Sequence, residues 1–255
     1  MFAIARCPTP VLNTPNFSGA FGGPDGSTLD VDKKIELVAL KGTKFKILDE
    51  KGGICRVHTK EYTSDPLYVA SEFLQKCAEE PPERDTKLPS KKQLLANLEK
   101  ILKRNLPYLW GGNWSQGIPE LLKFYPPKKA DPKANSLWML QGVDCTGLLY
   151  EATEGATPRN SSDLVNYKTA VAVAGLNPVQ LAAVLQPTDL IVWPGHIVIV
   201  FDEKTTIESR GGRGCITTPL IERLEEIFKD RTSVNDWSPV IDPKKHFTIR
   251  RLFEE

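Results

Sequence analysis

The sequence predicts an α+β protein in which a small antiparallel β-barrel precedes a domain with its helices first and an antiparallel sheet afterwards. Three observations carry this: closely spaced strand-like runs in the first quarter, one helical period after a proline-rich break, and apolar runs late in the chain. Glu36 to Leu40, Lys44 to Leu48 and Ile54 to His58 are the early strands, divided by Lys41-Gly42 and by the Asp49 to Gly53 turn. Strands this short bury one face by curling on themselves, hence the barrel. A short strand and helical turn from Pro66 then run into Pro81-Pro82 and a charged stretch ending at Pro89. The expected division is a β domain over 1–80, a linker over 81–89 and a second domain over 90–255.

The second domain opens with Leu94, Leu95, Leu98, Ile101 and Leu102 at helical spacing, and Ser90 stands where an N-cap belongs. The loop YLWGGN follows, then an excursion from about Trp114 to Leu140 and a helix beginning near Cys145. Ile191 to Phe201, Thr205 to Glu208 and Phe247 to Phe253 read as strands. Pro219 to Lys229 reads as an amphipathic helix with Leu220, Leu224 and Ile227 on one side.

With 33 basic and 32 acidic residues among 255, the chain has a net charge of +1 and no basic stripe to neutralise phosphates. Neither nucleic acid nor an anionic membrane is implied as a partner. The stretch LIVWPGHIVIVF falls short of the about 20 residues that cross a bilayer. MFAIARCPTPVLNTP lacks the uninterrupted apolar core of about 7 to 15 residues that an export signal needs. The five cysteines never form a CxxC pair, which suggests neither a disulfide framework nor a zinc site. A cytoplasmic monomer without metal or cofactor is the expectation, with the periplasm as the alternative for a chain that has lost its signal. GGPDGST at 22–28 has no Lys before its Ser-Thr and fails as a phosphate loop.

Cys145 lies in GVDCTGLLYEA, where a loop hands over to a helical segment that Asp144 can cap. A thiol at the positive end of a helix dipole is enriched in thiolate, and the same amides can hold an oxyanion. Position alone leaves two readings open, a nucleophile or a small buried hydrophobe. Among the three histidines, His196 is the candidate general base, because it opens the apolar run IVIVF where an imidazole needs a reason to be present. A hydrogen-bonded strand histidine is the other reading. Folding the segment about Asp202 sets His196 opposite Glu208, with Cβ atoms about 5 Å apart. A shift of half a residue pairs His196 with Ser209 and turns Glu208 away. Glu208 is thus either the group that orients the imidazole or a strand-end charge. Trp110, Trp114 and Trp138 are suited to line a pocket or to fill the core.

These words together, YLWGG at 108–112, GVDCTGLL at 142–149, PRNSSD at 158–163, TDLIVW at 188–193, His196 and IES at 207–209, resemble the NlpC-type cysteine peptidases. The likeness is to their YkfC-like branch, in which bacterial SH3-like strands precede a papain-like domain. It covers roughly Glu36 to the C-terminus. The resemblance implies hydrolysis of γ-D-glutamyl bonds to diaminopimelate in murein peptides of the L-Ala-γ-D-Glu-diaminopimelate type. It matches Cys145 to the nucleophile, His196 to the base and Glu208 to the third polar position, usually His, Asn or Gln in the family. It places Tyr108 beside the nucleophile, Asp144 and Thr146 in substrate-contacting positions, and Ser161 at the amine of L-alanine. Asn160 replaces a neighbouring Asp there, and Glu61 and Tyr62 are candidates for an SH3-domain carboxylate and tyrosine, a match that no motif fixes. The Trp114 to Leu140 excursion exceeds what the family needs, and reads as a lid, a partner surface or, from Pro126 to Lys129, a solvated insertion. Asn160 and Glu208 keep an alternative open, a catalytically impaired peptidoglycan-binding protein.

Overall fold

The computed structural model of the chain describes residues 1–23, 27–128 and 132–254. Pro24 to Gly26 of the GGPDGST segment and Lys129 of the Pro126 to Lys129 run lie outside the described residues. The chain packs as two compact units, Met1–Thr86 with Leu106–Gly147, and Lys87–Asn105 with Leu148–Glu255. Residues 106–147 pack with the first quarter of the chain.

The first unit is built on β1 (Phe2–Ala5), β2 (Thr9–Leu12), β3 (Ile35–Ala39), β4 (Lys44–Lys51), β5 (Ile54–Thr59), β6 (Tyr62–Ala70) and β7 (Leu74–Cys77). They form one seven-stranded antiparallel sheet in the order β3-β2-β6-β5-β4-β1-β7. Among the described residues β3 and β7 do not pair, so the path is open and the expected closed barrel is not formed. The cause lies in FAIARCPTPVL, which is not among the early strands expected from the sequence. It supplies two strands, one between β4 and β7 and one between β3 and β6. Phe45 and Ile47 of β4 and Cys55 and Val57 of β5 alternate inward. Each large apolar side chain so buried contributes about 1.5–3 kcal/mol.

The described part of the Trp114 to Leu140 excursion belongs to this core and forms no solvated insertion. Ile118, Leu121, Trp138 and Leu140 are buried in it. Phe124 meets Phe73 edge-on at 5.2 Å, and the Tyr125 ring lies 6.1 Å from Phe17 and 5.7 Å from Phe21. Trp138 Nε1 donates to the Tyr125 carbonyl at 2.7 Å, closing the turn around the exposed Pro126 and Lys128. The apolar residues on both sides of that Pro/Lys run outweigh its polarity.

Asn113 joins the YLWGGN loop to the sheet. It is wholly buried; its Oδ1 accepts from Val38 N at 2.8 Å and its Nδ2 donates to Val38 O at 2.8 Å. The side chain thus stands in for a strand along β3 and satisfies two backbone groups that would otherwise be stranded.

In the second unit the helix Lys91–Leu102 starts where Ser90 Oγ accepts from Gln93 N at 3.2 Å. The sheet comprises β8 (Thr169–Ala170), β9 (Leu190–Trp193), β10 (His196–Val200), β11 (Thr205–Arg210), β12 (Gly214–Pro219) and β13 (His246–Arg251). Their order is β8-β13-β9-β10-β11-β12, with Thr232–Ser233 running parallel beside β13. The run Ile191 to Phe201, expected as one strand, is two, because Pro194-Gly195 turns the chain and pairs Trp193 with His196. Gly195 takes φ +106°, a conformation that side chains resist. Two further helices are α1 (Cys145–Ala152), which begins in the first unit and continues into the second, and α2 (Leu220–Phe228). Leu220, Leu224 and Ile227 of α2 pack with Ile191, Val198, Val200 and Phe247.

Asn113→Ala leaves the Val38 N–H and carbonyl unpaired and is expected to cost about 2–4 kcal/mol. Urea unfolding checks this, and an unchanged midpoint would mean that the pairing adds no stability.

Candidate active site

In the first unit the YLWGG loop and the GVDCTG turn lie backbone to backbone. Val143 bridges Tyr108 on one side and Asn113 on the other. Asp144 N donates to the Gly112 carbonyl at 2.8 Å. The buried Asp144 carboxylate caps α1 as expected. Its Oδ1 accepts from Gly147 N at 2.7 Å and Thr146 Oγ1 at 3.0 Å, and its Oδ2 accepts from Gly111 N at 3.0 Å. Asp144 therefore braces the Cys145 turn against the glycine loop. Cys145 follows as the first residue of α1, 8% exposed, and Thr146 is buried beside it. The glycines of both words have a steric reason. A Cβ on Gly147 would sit 1.9 Å from the Gly112 carbonyl oxygen, and Gly111 combines φ +72° with a Cβ position 2.2 Å from Ile35 O.

In the second unit His196 opens β10, its side chain 17% exposed, and its Nε2 lies 2.5 Å from Glu208 Oε2. Glu208, not Ser209, is the partner. The ladder pairs Ile199 with Ile207 and Val200 with Thr206, so the hairpin is centred one residue later than the expected fold about Asp202. Continued, that register sets Val198 opposite Glu208 and His196 diagonal to it. A shift of two pairing positions keeps both side chains on one face, which is why they still meet.

Glu208 is buried between His196 and Arg223. Arg223 Nε donates to Oε1 at 2.6 Å and Nη2 to Oε2 at 3.0 Å. Burial pushes the Glu208 carboxyl up, but the hydrogen bonds from His196 and Arg223 and the Arg223 charge outweigh it and hold the group below its ordinary range. An ionised carboxylate only accepts, so His196 Nε2 carries its proton toward Glu208 and the lone pair of the neutral ring is on Nδ1. Trp193 packs beside the imidazole at 5.3 Å between ring centres, with the Arg231 guanidinium 4.7 Å from the Trp193 centroid. Ser161 Oγ accepts from Gly195 N at 2.8 Å and so secures the turn that delivers His196.

Tyr108 is half-buried at the rim of a groove of about 460 Å³, together with Leu29, Asp30, Asp32 and Trp110. Glu61 and Tyr62 are engaged within the first unit. Arg84 Nε donates to Glu61 Oε1 at 3.1 Å and Thr43 Oγ1 to Oε2 at 3.1 Å, while the Tyr62 hydroxyl donates to Glu36 Oε2 at 2.8 Å. Three of the other thiols are displaced away from reactivity. Burial, aided by Glu120, pushes Cys7 up to about 11; burial and Glu50 raise Cys55; burial and Glu151 push Cys215 up to about 12. Sequence reading missed Arg223, whose signal was a guanidinium inside the apolar stripe of α2.

No family model matches the chain, and no curated protein matches it. Solved structures do. An NlpC/P60 family protein from Bacillus cereus ATCC 10987 aligns with a TM-score of 0.57 at 14% identity, over 98% of this chain and 99% of that one. NlpC2 and NlpC1 from Trichomonas vaginalis align at TM-scores of 0.35 and 0.33, each 12% identical, over 100% of this chain and 74% and 70% of theirs. The Bacillus likeness establishes a shared fold along the length of both chains; the Trichomonas pair are too distant to add to it.

Gly147→Ala forces backbone apart and is expected to cost about 3 kcal/mol or more, lowering the melting temperature by about 6 °C or more. A melting curve unchanged by Ala would disprove the close approach. Glu208 contributes stability above its unfolded pKa of about 4.3, and loses it as pH falls through its lower folded value. The melting-temperature gap between the wild type and Glu208→Gln should therefore narrow as pH is taken from about 5 to about 3. A gap that stays constant would contradict an ionised Glu208.

Proposed function

We propose that the chain is a cysteine endopeptidase that hydrolyses the γ-D-Glu-diaminopimelate bond of peptidoglycan-derived peptides. The observation that carries this reading is the His196 imidazole held by Glu208 through Nε2, which leaves Nδ1 as the basic nitrogen. Cys145 stands on the first turn of a helix capped by Asp144. The fold shared with the NlpC/P60 protein of Bacillus cereus supports the same class of reaction.

In this reading His196 Nδ1 takes the Cys145 proton, and the sulfur attacks the γ-glutamyl carbonyl carbon. Amides of the first turn of α1 and the Tyr108 hydroxyl stabilise the tetrahedral oxyanion. The C–N bond breaks as His196 protonates the departing amine of diaminopimelate, leaving a thioester on Cys145. Water, deprotonated by His196, then attacks the thioester and restores the thiol. No metal or cofactor takes part.

The sheet of the first unit stands for the SH3-like domain. Tyr108 and Thr146 contact substrate, with Ser161, Glu61 and Tyr62 at its amine end. Asn160 contributes no charge there, and the groove beside Tyr108 carries Asp32 and Lys33 together with Asp30, which is ion-paired with Lys34. Short soluble peptides are the preferred substrate over cross-linked polymer, as in peptide recycling within the cytoplasm.

Digestion of L-Ala-γ-D-Glu-diaminopimelate, followed by mass spectrometry, tests the reading. Cys145→Ala is expected to lower the rate of cleavage at least about 10³-fold. Equal cleavage by both proteins would overturn the enzyme, and binding of the peptide without cleavage by either would favour a peptidoglycan-binding protein.

A further inference from the structure

Glu208 is 1% exposed, and a carboxylate removed from water to that degree must be answered by a cation or take up a proton. Arg223 answers it side-on with two hydrogen bonds, from a side chain only 6% exposed in the apolar stripe of α2. The third donor of Arg223, Nη1, goes to Glu226 Oε2 at 3.0 Å, which Arg210 Nη1 also reaches at 2.9 Å. Arg213 acts on Glu226 as well. On the neighbouring strand β12 the residue paired with Glu208 is the apolar Ile216, and Arg231 lies over Trp193. The charges acting on Glu208 are therefore those of Arg223 and His196.

A bare carboxylate 2.5 Å from an imidazole would bind the proton of the imidazolium tightly. A general acid that must hand its proton to a departing amine works poorly in that state. We infer that Arg223 is a positioning residue for His196: its bidentate pair with Glu208 cancels the carboxylate charge, so that Nε2 is oriented by a net-neutral acceptor. The catalytic consequence rests on the reading of His196 as the general base. The electrostatic claim does not.

The experiment compares wild type, Arg223→Met and the double variant Glu208→Gln with Arg223→Met. The His196 ring is titrated by NMR without substrate, and kcat/KM for the tripeptide is followed against pH. Arg223→Met should raise the His196 midpoint by about one unit or more and lower kcat/KM at pH 7 about tenfold or more. The double variant replaces carboxylate and cation by a neutral amide and an apolar chain. It should return the midpoint to the wild-type value and recover most of the activity. A purely structural role for Arg223 predicts no such rescue. If Arg223→Met fails to fold while the double variant folds and titrates normally, the coupling is upheld. An unmoved midpoint in Arg223→Met, or a double variant no better than the single one, overturns the inference. If the variants show these midpoint shifts while the wild type does not cleave the peptide, the peptidase reading alone is overturned.

Discussion

A carboxylate taken out of water keeps its charge only where donors replace the water, and at Glu208 those donors come from separate stretches of chain. The imidazole arrives on β10 and the guanidinium on α2, and both hydrogen-bond to Glu208 on β11. Satisfying that one group fixes which nitrogen of His196 bears the proton, which face of α2 turns inward, and which face of the hairpin carries polar chemistry. Arg223 interrupts the apolar face of α2 for the same reason. A methionine there would pack as well, but it would leave the carboxylate without its cation.

The Cys145 segment obeys a different constraint, close backbone approach. The YLWGG loop and the start of α1 are separated by less than the width of a methyl group at Gly147. Asp144 ties the two together by accepting from both, at Gly111 N and at Gly147 N. Asn113 extends the arrangement to β3 by acting as a strand made from a side chain. The result is a cysteine whose backbone is held from several directions. Cys7, Cys55 and Cys215 have no such frame, and their burial opposes ionisation.

Much of this was legible in the sequence, for local reasons. Alternating burial marks β4 and β5, Ser90 and Asp144 cap the helices that follow them, and Leu220, Leu224 and Ile227 define the inner face of α2. Such signals act over a few residues, so they survive without knowledge of neighbours. The strands of FAIARCPTPVL were not legible, because a four-residue strand has little preference of its own and is stabilised by the edges it joins. Nor was the packing of the 114–140 excursion, whose aromatic residues find their partners on Phe17, Phe21 and Phe73.

For the site itself, the sequence by itself determined the chemical inventory: a thiol at the start of a helix, an imidazole at the start of an apolar strand, and a carboxylate twelve residues beyond it. Only the tertiary structure decided that Glu208 and not Ser209 takes the imidazole, because strand register is set by the whole sheet. It alone brought Arg223 to Glu208 across 15 residues and Asn113 to Val38 across 75. Buried polar groups must find partners wherever the packing presents them, and no spacing along the chain records where that is.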